Sequence, residues 1–195
     1  MDFTFLLLIG AVAVLIYVIS FYNGIQSLKT KIKASIQEIG NQLKRQASLI
    51  PNLETSVKGY LKHEKGIFEM LTEARKSVAK ADKSGSATDI NNAIERIQAM
   101  VPAISVAVED NPELKADATV TKFMDELTDT ADKLTYARRS LIDLTQMHNE
   151  RIRLFPGSIL AGVFGFKEEA GLGVAMQGAH MEVSDSETKD VKVSL

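Results

Sequence analysis

The sequence contains no cysteine and no tryptophan, and it has only four prolines and three histidines among 195 residues. The lack of cysteine excludes disulfides and thiolate metal sites, and it says nothing about redox compartment, since such a chain is at home on either side of a membrane. A zinc site needs three or four converging ligands. The histidines fall at 63, 148 and 180, the last in a polar tail, and His63 and Glu64 point apart on a helix, so no metal is expected. Neither sign of charge dominates. The net charge of −2 gives no basic field for nucleic acid, and Lys44-Arg45 and Arg138-Arg139 read as solvated helix faces. No glycine-rich loop precedes a basic helix start and no strand supports a nucleophile elbow, so neither an enzyme nor a cofactor is expected.

Few prolines and many Ala, Leu, Lys and Glu favour helices. Phe3 to Tyr22 is twenty residues without a charge. A helix of that length crosses roughly 30 Å of hydrocarbon. No positive region precedes it and no small-residue cleavage site follows it, so it reads as an uncleaved single-pass anchor. Lys29, Lys31 and Lys33 follow closely, which by the positive-inside rule predicts a cytoplasmic location for the rest of the chain.

After the anchor, apolar residues recur every 3.5 positions, the mark of helices packed with a left-handed supercoil. One row is Ile36, Leu43, Ile50, Val57, Leu71 and Val78; the interleaved row is Ile25, Ile32, Ile39, Leu53, Tyr60, Ile67 and Ala74. Lys29, Gln46 and Glu64 are misfits in this pattern. The phase predicts one long helix from 25 to about 80, kinked at Pro51 rather than folded back there. Gly85 and its small neighbours predict a turn, with Ser86 and Asp89 capping a second helix that carries Ile90, Ile94, Ile97, Val101, Ile104 and Val108. Asn111-Pro112 predicts another turn. A third helix to Phe155 follows, with Val120, Leu127, Leu134, Leu141 and Phe155 at sevens.

The fold class expected is therefore all-α. An N-terminal transmembrane helix precedes an elongated antiparallel up-and-down bundle of three long helices, or four if the first folds back. The expected organisation is an anchor (1–24), a helical bundle (25–155), an apolar glycine-rich cap or interfacial segment (156–180) and a disordered tail (181–195).

Several pieces carry a family resemblance. These are Tyr22-Asn23 after the anchor, the stretch "LKRQASLIPNLETSVKGYLKHE" with Arg45, Pro51, Tyr60 and His63-Glu64, and Ala74-Arg75. Asn111-Pro112-Glu113-Leu114-Lys115-Ala116, Ala137-Arg138-Arg139, Asn149 and Phe155-Pro156 continue it. Together they resemble the LemA family of bacterial membrane-anchored helical proteins. The resemblance implies an up-and-down bundle at a bacterial inner or plasma membrane without an established biochemical activity; some relatives are tied to building internal membranes such as magnetosomes. Leu141-Ile142, His148 and Asn111 stand where the family pattern has tyrosine-containing pairs or tyrosine.

Four site expectations follow. Glu64, at a seam position, is expected to pair with Arg138 and fix helix register, because a buried unpaired carboxylate is costly. Pro51 shapes the rod. Ile25, Ile32, Ile36, Ile39 and Leu43 lie on the basal part of a first helix that the shorter second helix cannot reach, which predicts a seam for homo-oligomerisation. Ile159, Leu160, Val163, Phe164 and Phe166 form an apolar cluster too short to span a bilayer, expected as a cap or as a membrane or partner contact. The function expected is a non-enzymatic scaffold that self-associates and shapes membrane; the alternative is an adaptor presenting a helical surface to another membrane protein. The partners expected are the bilayer, copies of itself and other membrane proteins.

Overall fold

The computed structural model describes residues 3–60 and 65–172. Six helices follow in order: α1 (Phe3–Val57), α2 (Lys65–Ser84), α3 (Ala87–Asp110), α4 (Pro112–Ala116), α5 (Ala118–Arg153) and α6 (Gly157–Phe164). No strand occurs among the described residues. Phe3 to Tyr17 are exposed on every side of α1. An apolar helix left this exposed is a candidate membrane anchor rather than a core helix.

The predicted helix over 25–80 is two helices. α1 passes through Pro51 and ends at Val57; α2 then returns beside it, so that Arg75 Nη1 reaches Glu54 Oε2 at 3.3 Å. The apolar phase concealed the break. Seven positions, one heptad, separate Val57 from Lys65, so the seam resumes in phase on the far side. Glycines at 59 and 66 flank the gap, and each weakens a helix by about 1 kcal/mol relative to alanine.

The other ends have local causes. Ser86 caps α3, its hydroxyl accepting from the Asp89 amide at 3.2 Å. Asn111 caps the single turn of α4 through Oδ1, which accepts from Glu113 and Leu114, with Pro112 at a position where its missing N–H costs nothing. Asp117 caps α5 in the same way, accepting from Thr119 at 2.8 Å and Val120 at 3.3 Å.

Four helices therefore close a ring in the order α1, α2, α3, α5, alternating in direction. Its core holds Ile50, Leu53, Leu71, Ile94, Ile97, Met100, Ile104, Leu127 and Leu134, each almost fully buried. α2 and α3, with 20 and 24 residues, cover only the distal half of α1. The 36-residue α5 runs farther and accompanies α1 down to the anchor. Gln46 meets Thr130 and, lower down, Gly24 faces Arg151, which fixes an antiparallel register.

This corrects the basal seam. Ile25, Ile32, Ile39 and Leu43 are buried by the chain's own α5 and by the segment after α6, and of the five only Ile36 is exposed, at 48%. The first helix is shorter and the return path longer than the sequence suggested, so the basal stripe already has its partner.

Candidate functional site

The sequence-predicted site residues fall into separate regions. Glu64 and His63 lie outside the described residues, as do His180 and the tail from 181, so the Glu64–Arg138 pairing cannot be placed. Arg138 lies in a groove of about 570 Å³ between α3 and α5, among Gln98, Asp132, Tyr136 and Asp143. Its Nε is buried without a hydrogen-bond partner among the described residues. Tyr136 is 75% exposed at the same groove. Among the described residues no three His, Asp or Glu side chains converge as metal ligands.

The cluster after Pro156 divides. Gly157 starts α6 in close contact with the anchor's end. A side-chain carbon at Gly157 would strike the Arg151 carbonyl and lie 2.7 Å from the Phe21 ring, so glycine lets the two elements touch. Leu160 and Phe166 turn inward onto Phe21, Ile25, Ile152 and Ala161. Tyr22 packs against Phe164 with ring centroids 5.2 Å apart and against Phe166 at 5.7 Å. Ile159, Val163 and Phe164 face outward, as do Leu154 and Phe155 from the α5–α6 corner. Leu160 and Phe166 thus pack inward at the bundle end, Phe164 packs on Tyr22 with its other side exposed, and Ile159 and Val163 are largely exposed.

Gly165, at φ 69°, closes α6 in the left-handed region and redirects the chain up the groove between α1 and α5. A strap over 166–172 is pinned there by polar contacts. Arg153 grips Glu168 with two bonds of 2.6 Å. That fork holds the Glu168 carboxyl below its ordinary range and raises the Arg153 guanidinium further. Asn149 donates to the Glu169 carbonyl and accepts from its amide, both at 2.9 Å. Lys29 approaches the Glu169 carboxylate at 3.7 Å. Gly171, at φ 58°, passes close to Thr145, and Leu172 is buried.

Under this strap and above it, polar side chains are sealed between α1 and α5: Gln42, Gln46, Thr130, Thr145 and His148. Gln46 Nε2 donates to Thr130 Oγ1 at 2.6 Å and to the Leu127 carbonyl at 3.1 Å. Sequence reasoning marked Gln46 only as a misfit, and weighed His148 only as a metal ligand and as a departure from the family pattern, not as a buried seam residue. The signal for His148 was present, since it fills the missing seventh position between Leu141 and Phe155. Phe155 itself lies beyond the end of α5 and is 80% exposed.

The model of one protein family, described as the LemA family, matches residues 35–187. No curated protein matches the chain.

Proposed function

The chain belongs to the LemA family, and on that premise we propose that it is a non-enzymatic, single-pass membrane protein whose bundle serves as an adaptor. It presents a helical surface to other membrane-associated proteins of the bacterial inner membrane. The observation that carries this reading is the closure of the α1–α5 seam within one chain. A scaffold built on self-association was argued from an open basal stripe, and that stripe is covered. Among the grooves left open is a polar, mixed-charge one between α3 and α5 with the exposed Tyr136 beside it. Tyrosine and arginine around a groove are the residue types favoured at protein contacts.

α1 continues from the apolar run into the bundle without a break, so the groove is carried at a fixed height above the bilayer. From Asn23 to Val57 the rise is about 50 Å at 1.5 Å per residue. Lys29, Lys31 and Lys33 on α1 are joined near the same level by Arg151 and Arg153 of α5, which supports a cytoplasmic bundle. His148, the histidine within the described residues, is fully buried, out of reach of a substrate.

A photo-crosslinking amino acid at Tyr136, in cells and followed by isolation of native membranes, tests the proposal. Adducts with a different polypeptide are expected. Adducts at twice the chain's own mass would overturn the adaptor in favour of a self-associating scaffold.

A further inference from the structure

α6 touches the anchor at a depth set by α1 alone. Its Ile159 and Leu160, with Pro156, line an apolar groove against Ala13, Val14, Tyr17 and Val18 of α1. Those residues belong to the uncharged run Phe3–Tyr22. If that run crosses the bilayer, Ala13 and Val14 lie about 13 Å below Tyr22 and near the middle of a core roughly 30 Å thick. α1 is one helix throughout, so residues that line one groove with Val14 lie near its depth.

The chemistry of the segment agrees with that position. Leu154 to Phe166 contains no charged residue, while Arg153 precedes it and Lys167 follows it. An apolar run of this length is too short to span and suits a re-entrant segment. The Arg153–Glu168 and Lys29–Glu169 pairs form a polar belt on the bundle side. On the other side Phe155 is 80% exposed, Val163 73%, Leu154 64% and Ile159 59%. At each end of the segment some of the backbone groups are satisfied within it, as hydrocarbon demands. Pro156 has no N–H, the Ser158 and Ile159 amides bond to the Leu154 and Pro156 carbonyls, and the Gly165 and Phe166 amides close the C-terminal end.

We infer that α6 is immersed in the leaflet nearest the bundle, as a re-entrant segment whose outer face, Phe155, Ile159 and Val163, meets lipid acyl chains. The inference rests on reading α1 as a membrane anchor. It gives the bundle a second attachment beside the first, which sets its tilt and rotation on the bilayer rather than leaving it to swing on one helix.

The absence of tryptophan gives a clean test. Full-length single-tryptophan variants Val163→Trp and Phe155→Trp are reconstituted in phosphatidylcholine–phosphatidylglycerol nanodiscs that contain lipids brominated on the acyl chain. Leu8→Trp reports on the anchor and Tyr136→Trp on the distal bundle. Val163→Trp and Phe155→Trp are expected to emit to the blue of Tyr136→Trp and to be quenched by bromine, as Leu8→Trp is. Quenching of Leu8→Trp with red-shifted, unquenched emission from both α6 probes would overturn the immersion of α6 and leave the anchor intact. Blue emission without quenching at α6 would also overturn it, placing protein rather than lipid on that face. Failure to quench Leu8→Trp would remove the anchor reading, and the inference with it.

Discussion

Replacing Gln46 separates the two contributions of a buried polar side chain. The amide is fully buried between α1 and α5 and donates to Thr130 Oγ1 and the Leu127 carbonyl, while its Oε1 is buried without a partner among the described residues. Two hydrogen bonds contribute on the order of 1–3 kcal/mol together, and one orphaned acceptor costs about the same. Gln46→Leu removes both and creates no new orphan. Thr130 Oγ1 still donates to the Glu126 carbonyl at 2.8 Å and lies 3.0 Å from the Leu127 carbonyl. The leucine variant is therefore expected within about 1 kcal/mol of wild type. Gln46→Ala loses the same bonds and leaves a cavity, and should cost about 2–4 kcal/mol. Thr130→Val should cost about 1–2 kcal/mol in the wild-type background and much less in Gln46→Leu, because the partner it deprives is gone. Urea denaturation in a fixed detergent, followed by far-ultraviolet circular dichroism, measures all four. A leucine variant as unstable as the alanine variant would refute the reasoning, since the amide would then contribute far more than its two bonds allow.

Gly157→Ala is expected to push α6 off Phe21 at a cost of about 1–3 kcal/mol, the usual penalty of overpacking, visible as a lower unfolding midpoint. Pro51→Ala should stabilise α1 by about 1–2 kcal/mol, because it restores an amide inside a continuous helix; a loss of stability would show that the proline fits a bend the bundle needs. Asp89 accepts from Lys80 at 2.8 Å and Ser84 at 2.7 Å, and these bonds hold its carboxyl below the ordinary range. Its contribution is then complete above about pH 4 and is lost as pH falls through the lower folded value. Asp89→Asn should flatten that acid limb, seen as protection factors at the α2–α3 turn, exchange measured relative to the intrinsic rate at each pH, that stay constant between neutral and acid pH.

Much of the fold was legible because the 3.5-residue phase reports burial directly. Leu43, Ile50, Leu53, Val57, Leu71 and Val78 are all buried, and the Ser86 cap stands where its spacing placed it. The phase cannot report chain direction. An interval of one heptad between α1 and α2 leaves it unchanged, and so the return after Val57 was invisible while Pro51 drew attention instead. That error produced the oligomer seam. With one helix of 55 residues past the anchor there was nothing to cover Ile25, Ile32 and Ile39, whereas with two arms α5 reaches them. The split within the α6 cluster was also hidden. Ile159 and Leu160 are neighbours of the same character, and both border the anchor, but only Leu160 also packs into the Phe21–Ile25–Ile152 cluster that the contact of Gly157 with Phe21 sets up.

The closure of the α1–α5 seam within a single chain is tested most directly by one distance. The chain has no cysteine, so nitroxides placed at Lys31→Cys and Gln146→Cys are unambiguous. Both positions are exposed, and the register of Gln46 with Thr130 puts them at one level of the adjacent helices. Pulsed dipolar spectroscopy of full-length protein in nanodiscs should give a single separation of roughly 20 Å or less, as expected for labels on helices 8–10 Å apart. The distance should persist when labelled protein is diluted with unlabelled protein before reconstitution. A distance that fades on dilution would mean that the partner of α1 comes from another copy, and a long or broad distance would mean that the seam is open.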